Sequence, residues 1–460
     1  MDLVIDYINR NYDRFVNELC DYVRFPSVSA QKEHRDDTAK CAEWIANHLK
    51  GIGLDVEVYK TDNHPIVVAK TKRRKSKPHI VIYGHYDVQP PEPFELWASP
   101  PFYPRIVDNK LYARGASDNK GQHFAHIKAV EAYIKSGCEL PCDVTFLIEG
   151  EEEIGSAELL KFLKSHKELL RCDAVVASDT GIPGIDYPAL TYALRGVAAL
   201  EIYVYGPLRD LHSGIYGGAV DNPAMVLCQI LAQLRDKNGR IKIPGFYDNV
   251  RRLTKLEREY LSKIPFNEKE FKEFLGVPQL FGEKGYSPIE QRTARPTIEI
   301  NGLTSGYQGE GSKTIIPSTA SAKLTFRLVP DQNKEDILEI VCKHIKKICP
   351  PTVRLELVKG HSGDPYILDP TSSLCVATLA ALKKAFNREP LLLREGGSIP
   401  IVTDIKKILG VDTILVGLAL PDDNAHSPNE KFDLRCFQTG MKMSAILLDE
   451  LSAALNRDKR

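Results

Sequence analysis

No run of about 18 consecutive apolar residues occurs in this 460-residue chain, so nothing in it meets the requirement for a membrane-spanning helix. An excess of charge of either sign is also missing, because Lys and Arg total 61 and Asp and Glu total 61. That balance gives no electrostatic reason to expect nucleic acid or an anionic membrane as partner. Paired cysteines are lacking too: the ten cysteines are scattered, with no C-x-x-C pair. The opening segment MDLVIDYINRNYDRFVNELCDYVRF carries charges throughout and lacks the apolar stretch of a secretory signal. Reduced thiols in a cytoplasmic protein are the expectation. Internal repeats and low-complexity segments are absent as well.

What is present is a chain too long for one typical domain, with a normal hydrophobic fraction of 43%. Its first part alternates helical patterns with short continuous apolar runs, Ile80–Tyr83, Val144–Ile148 and Ala174–Ala177. Continuous rather than alternating apolarity predicts strands buried on both faces, as in a mostly parallel sheet flanked by helices. The basic run from Lys70 to Lys77 lies between two such strands and reads as a solvated turn. From Arg195 the texture changes. Strands at Val197–Tyr205, Pro296–Gly302, Thr319–Val329 and Val353–Val358, with helices at Asn222–Leu234 and Asn333–Ile348, predict the ferredoxin-like order βαββαβ. A charged, largely helical insertion around Asn249–Leu275 interrupts it. Beyond Leu368 the first texture returns, with a helix at Ser373–Phe386 and an apolar run at Thr413–Leu420. The expected architecture is α/β: one discontinuous domain from 1–194 and 368–460, with a smaller domain, 195–367, inserted into it.

The apolar runs of the outer domain end in chemistry. Ile80–Tyr83 leads to His85 and Asp87; Val144–Ile148 to Glu149, Glu151, Glu152 and Glu153; Ala174–Ala177 to Asp179; Thr413–Leu420 to His426. Asp118 sits in a glycine-bounded turn that opens a helix. In open α/β sheets ligands bind beyond the carboxyl ends of the strands. Imidazole with carboxylate oxygen is a ligand set for zinc and related divalent ions. Each piece alone has a blander reading: a surface hydrogen bond for His-x-Asp, a solvated helix start for the glutamates, a helix cap for Asp118. Their recurrence after successive buried strands favours a site. His123 and His126, on the helix after Asp118, read as packing residues.

The segments GHYDVQP, LYARGASDNKGQ, EGEEEIGS, SDT and AHSPNE together resemble the metal-site motifs of the co-catalytic dinuclear metallopeptidases, the family of carboxypeptidase G, aminoacylase and carnosinase. The likeness is strongest to its non-specific dipeptidase and carnosinase-like branch. It continues through DLHSGIYGGAVDNP, KTIIP, FRLVP and REGGSIP, and so spans essentially the whole chain.

The resemblance implies a dinuclear site holding Zn²⁺ or Mn²⁺, with Asp118 bridging two ions. His85 and Asp179 would complete the shell of one, Glu153 and His426 that of the other. Glu152 would be the general base that activates a water for attack on a peptide carbonyl, and Asp87 would orient His85. The family places base and ligand immediately before x-Gly-Ser, which selects Glu152 and Glu153 over Glu151. Substrate contacts fall on His212, Thr314, Arg327 and Ser398, with His212 reaching the partner subunit's site in a homodimer. By position alone Arg327 is an ordinary strand-end arginine; only the motif promotes it. The implied activity is hydrolysis of dipeptides. An N-acyl-amino-acid amidohydrolase or exo-carboxypeptidase on the same scaffold is the alternative within enzymes, and a metal-retaining binding protein the alternative outside them.

Overall fold

The computed structural model describes residues 1–74 and 76–458. Lys75, part of the basic run read as a turn, lies outside the described residues. The chain forms two compact units. The first comprises Met1–Tyr192, Leu368–Leu393 and Asp404–Arg460, and the second Ala193–Ile367 with Arg394–Thr403. Residues 394–403 thus fall in the second unit, although the apolar texture grouped them with the outer segments.

The first unit is built on a mixed sheet. Its strand order is Asp55–Tyr59, Ile66–Lys70, Asp143–Glu149, His79–His85, Ala174–Ala177, Thr413–Val416 and Ala189–Leu194. The strands around His79–His85 run parallel, from Asp143–Glu149 to Thr413–Val416, and the flanking pairs are antiparallel. Every residue of His79–His85, Asp143–Glu149 and Ala174–Ala177 is buried, as expected where helices cover both faces. The helix Gln122–Lys135 packs against the 25-residue helix Leu434–Asp458. Among the described residues no helix is long and apolar enough to cross a membrane.

The second unit has a four-stranded antiparallel sheet, ordered Thr297–Ser305, Thr319–Leu328, Gly196–Tyr205, Arg354–Gly363. With the helices Pro223–Gln233 and Lys334–Ile348 this is the βαββαβ arrangement. Ala198, Leu200, Ile202 and Val204 alternate into the core beneath those helices. Asn222 caps the first helix through the Ala224 N–H, with Pro223 at its first position, where a missing N–H costs nothing. The insertion folds into the helices Lys255–Ser262 and Glu268–Leu275, followed by Pro288–Thr293; the first and third start with capping boxes, Thr254 with Glu257 and Ser287 with Glu290.

The chain opens with two helices, Asp2–Arg10 and Tyr12–Val23, broken at Asn11. One expectation is corrected. The apolar run from Thr413 to Leu420 forms a strand only to Val416; beyond it the chain stays buried through Leu418, with the Gly417 backbone close against Thr180 and one bridge from Ala419 to Gly181.

Candidate metal centre

Strand register decides what meets at the end of the first unit's sheet. His85 lies opposite Glu149, Tyr83 opposite Ala177, and Ala177 opposite Leu415, so four parallel strands finish side by side. The turns that follow carry the polar residues.

Two buried carboxylates shape those turns. Asp87 accepts hydrogen bonds from Ser29 Oγ at 2.7 Å and from the backbone N–H groups of Glu152 and Glu153 at 3.2 and 3.1 Å. Its Oδ1 also lies 3.3 Å from His85 Nδ1. His85 Nδ1 also lies 3.1 Å from the Asp87 carbonyl oxygen, so this one residue both orients the histidine and fixes the loop bearing both glutamates. Glu430 does the same for Asp118. It accepts from Gly115, Ser117 and Asp118 N–H at 2.9, 2.9 and 3.0 Å, and pairs with the buried Arg114 at 2.9 Å. The sequence reading missed Glu430; its only signal was an acid at the end of AHSPNE.

The seven candidates His85, Asp87, Asp118, Glu152, Glu153, Asp179 and His426 come together within this unit. His85 Nε2 is 3.3 Å from Asp118 Oδ1 and 3.6 Å from Asp179 Oδ1. His426 Nε2 is 2.9 Å from Asp118 Oδ2 and 3.4 Å from Glu153 Oε2. Asp118 thus offers one oxygen to each histidine, the geometry of a shared carboxylate. Asn119 Nδ2 donates to Asp179 Oδ1 at 2.8 Å, and His123 Nδ1 lies 3.0 Å from Asn119 Oδ1. His126 bridges Ser178 and Ser444, both at 2.7 Å. These two histidines brace the turn residues from below. Glu151 points elsewhere, accepting from the His64 and Glu158 N–H groups at 3.1 Å each. That leaves Glu152 and Glu153 facing the cluster.

The electrostatics suit a cation. Burial opposes charging His85, yet the nearby carboxylates of Asp118, Asp179 and Asp87 hold its pKa well above the usual imidazole range. Asp118 and Glu153 raise His426 to about 10. Burial lifts Glu152 well above the carboxylate range; His85 counters this, while Asp179, Glu153 and Asp118 add to it. His85 Nε2 and Glu153 Oε1 are buried with no hydrogen-bond partner. Such orphaned atoms each cost about 1–3 kcal/mol unless something binds them. Both are of the atom types that ligate metals, and the donor set of imidazole and carboxylate fits divalent cations.

The remaining candidates lie in the second unit. His212 and Thr314 sit together on a two-stranded ribbon, where Leu211 and His212 pair with Ile316 and Ile315 and the Ser213 N–H donates to the Thr314 carbonyl at 3.1 Å. Arg327 donates to Ser398 Oγ at 3.0 Å.

The profile of peptidase family M20/M25/M40 matches residues 81–450. Over 98% of both chains, this chain is 32% identical to a Cys-Gly metallodipeptidase of Schizosaccharomyces pombe. It is 28% identical to the human Beta-Ala-His dipeptidase over 98% of this chain and 93% of that one. Among solved structures it resembles a di-peptidase from Saccharomyces cerevisiae (TM-score 0.83, 31% identity, 98% of each chain). It also resembles a metallo-carboxypeptidase from Sulfolobus solfataricus, with TM-score 0.86 and 32% identity over 95% of this chain and 99% of that one.

Removing Glu430 should leave Arg114 buried and unpaired and release three N–H donors. Glu430→Ala is expected to cost about 3–5 kcal/mol, read from the denaturant midpoint, and Glu430→Gln less. An unchanged midpoint in Glu430→Ala would show that the Asp118 turn does not depend on it.

Proposed function

The chain belongs to peptidase family M20/M25/M40, and from that premise we propose that it is a metal-dependent dipeptidase acting on small peptides with a free carboxyl terminus. The observation that carries the reading is the shared Asp118 carboxylate, with one histidine on each of its oxygens and an unpartnered donor atom on either side. Full-length relatives named as dipeptidases support the substrate class. In this reading His85, Asp118 and Asp179 hold one divalent ion and Asp118, Glu153 and His426 a second, zinc or manganese. Ions held there supply Lewis-acid polarisation of the peptide carbonyl and lower the pKa of water.

The chain's own groups do the rest. Among the described residues the Glu152 carboxylate has no hydrogen bond to commit it, so in this reading it takes a proton from water and returns it to the leaving amine. Asp87 keeps His85 in the tautomer that leaves Nε2 open to a metal. Arg327, positioned by Ser398, takes the substrate's carboxylate with its planar guanidinium.

His212 and Thr314 are the remaining substrate contacts, with His212 serving the partner subunit of a homodimer in a cytoplasmic enzyme. Support for self-association comes from the second unit, where the edge strand Thr297–Ser305 exposes Ile300 and Leu303. An unpaired apolar edge can meet its own copy antiparallel about a two-fold axis. The first unit is the catalytic domain in this reading, and the second serves as lid and dimerisation domain.

The Sulfolobus likeness favours one alternative, an exo-carboxypeptidase or acylase specificity on the same centre. Comparing Ala-Gly with acetyl-Gly separates the two, since a dipeptidase needs the free amine. Glu152→Ala should keep full metal content by elemental analysis while turnover falls by about 10²–10⁴-fold. Metal loss in parallel with activity would transfer the base role away from Glu152. For the dimer, Glu152→Ala and His212→Ala proteins should each be nearly inactive alone. Refolded as an equal mixture, they should recover about one quarter of wild-type activity, because hybrids restore one site of two. Activity that stays at the floor while hybrids form would rule out the trans role of His212.

A further inference from the structure

The second unit holds a cavity of ≈ 490 Å³ lined by Arg195, Arg292 and Arg327, with Phe271 and Leu275 of the insertion as part of its apolar wall. Among the described residues, none of these three guanidiniums has a carboxylate within ion-pair distance. Arg327 bonds only Ser398 Oγ, at 3.0 Å, and Arg195 only the carbonyls of Gly396 and Arg295, at 2.8 and 3.4 Å. The Arg292 guanidinium lies over the Phe271 ring, 5.4 Å from its centroid. Of the two acids on the wall, Glu283 is committed to Arg295 at 2.7 and 3.0 Å, and Glu299 reaches none of the three.

The crowding is built in by backbone. A side chain at Gly396 would lie 2.7 Å from the Arg292 carbonyl oxygen and 3.2 Å from the Arg195 guanidinium, so the loop that carries Ser398 is pressed against both. Burial, and then the charge of Arg327, lower Arg195 to about 10, against the pull of Glu395 and Glu299. Like charges gathered on one partly apolar cavity, with no acid in ion-pair contact with them, are a site for an anion with a hydrocarbon body.

One guanidinium suffices for a peptide's terminal carboxylate, and this cavity offers more. We propose that it receives the side chain of the substrate's C-terminal residue and selects a second carboxylate there, so that peptides ending in Asp or Glu are the preferred substrates. The inference rests on the reading of Arg327 above. Arg292 is the specificity-determining residue: it is exposed, and the insertion's Phe271 holds it in place.

Ala-Glu and Ala-Gln differ in charge and hardly in shape. With the metal-loaded enzyme, kcat/KM should be at least about tenfold higher for Ala-Glu, the yield of one charge-assisted hydrogen bond. Arg292→Leu should bring the ratio near one without lowering Ala-Gln turnover, and Arg292→Lys should keep part of it. Equal rates in the wild type, or equal losses on both peptides in Arg292→Leu, would overturn the proposal. Calorimetric binding of glutamate and glutamine separates this inference from the peptidase reading. If no dipeptide is hydrolysed but glutamate binds about tenfold tighter in an Arg292-dependent way, the activity is wrong and the acidic cavity stands. If glutamate binds no tighter than glutamine, the cavity assignment falls whatever the turnover. Glutarate that alters Ala-Ala hydrolysis with no Ala-Glu preference would also contradict it, by assigning the anion to a separate effector.

Discussion

An ionised carboxylate inside a protein must collect donors or be neutralised, and Asp87 collects four, from Ser29, Glu152, Glu153 and His85. Because two of the four are backbone N–H groups, the loop after Glu149 has one available path. Glu153 is thereby placed where it shares His426 with Asp118. Glu430 imposes the same condition on the turn 115–118. Asp87 and Glu430 thus hold the turns in place, so that Asp118 keeps one oxygen toward each histidine. Such pre-organisation is what a metal site needs, since ligands that must first be gathered pay ordering entropy when the ion arrives.

A second group of metal-type donors shows what a completed charge balance looks like. Glu18, His48 and Glu131 also converge. There Lys128 supplies the cation, with its ammonium 2.8 Å from Glu131, 2.6 Å from His48 Nε2 and in contact with Glu18. Burial and the charge of Lys128 lower His48 to about 4, so it accepts as a neutral ring. Donor types alone therefore do not make a metal site. What distinguishes the Asp118 centre is that its buried His85 Nε2 and Glu153 Oε1 have no partner.

Most of this centre was legible in the sequence because strand ends are local signals. A buried apolar run followed at once by His-x-Asp or a glutamate cluster marks both the strand and the place its last residues reach. The order of the second unit was legible for the same reason, since alternation along Gly196–Tyr205 and Thr319–Leu328 is written in consecutive residues. Glu430 was not, because its contacts lie more than 300 residues away, at Arg114 to Asp118. Apolar runs also report burial rather than pairing. Leu418 is fully buried, yet the strand has ended at Val416. The arginine cavity was hidden likewise, because Arg195, Arg292 and Arg327 belong to three distant segments.

The central claim is that Asp118 is shared between two cations. The direct measurement is anomalous diffraction at the metal edge from crystals grown with zinc or manganese. Two peaks about 3.5–4 Å apart are predicted, one beside His85 and Asp179 and the other beside Glu153 and His426, with Asp118 bound to both. A single peak, or density at Glu18, His48 and Glu131 with none at Asp118, would contradict it.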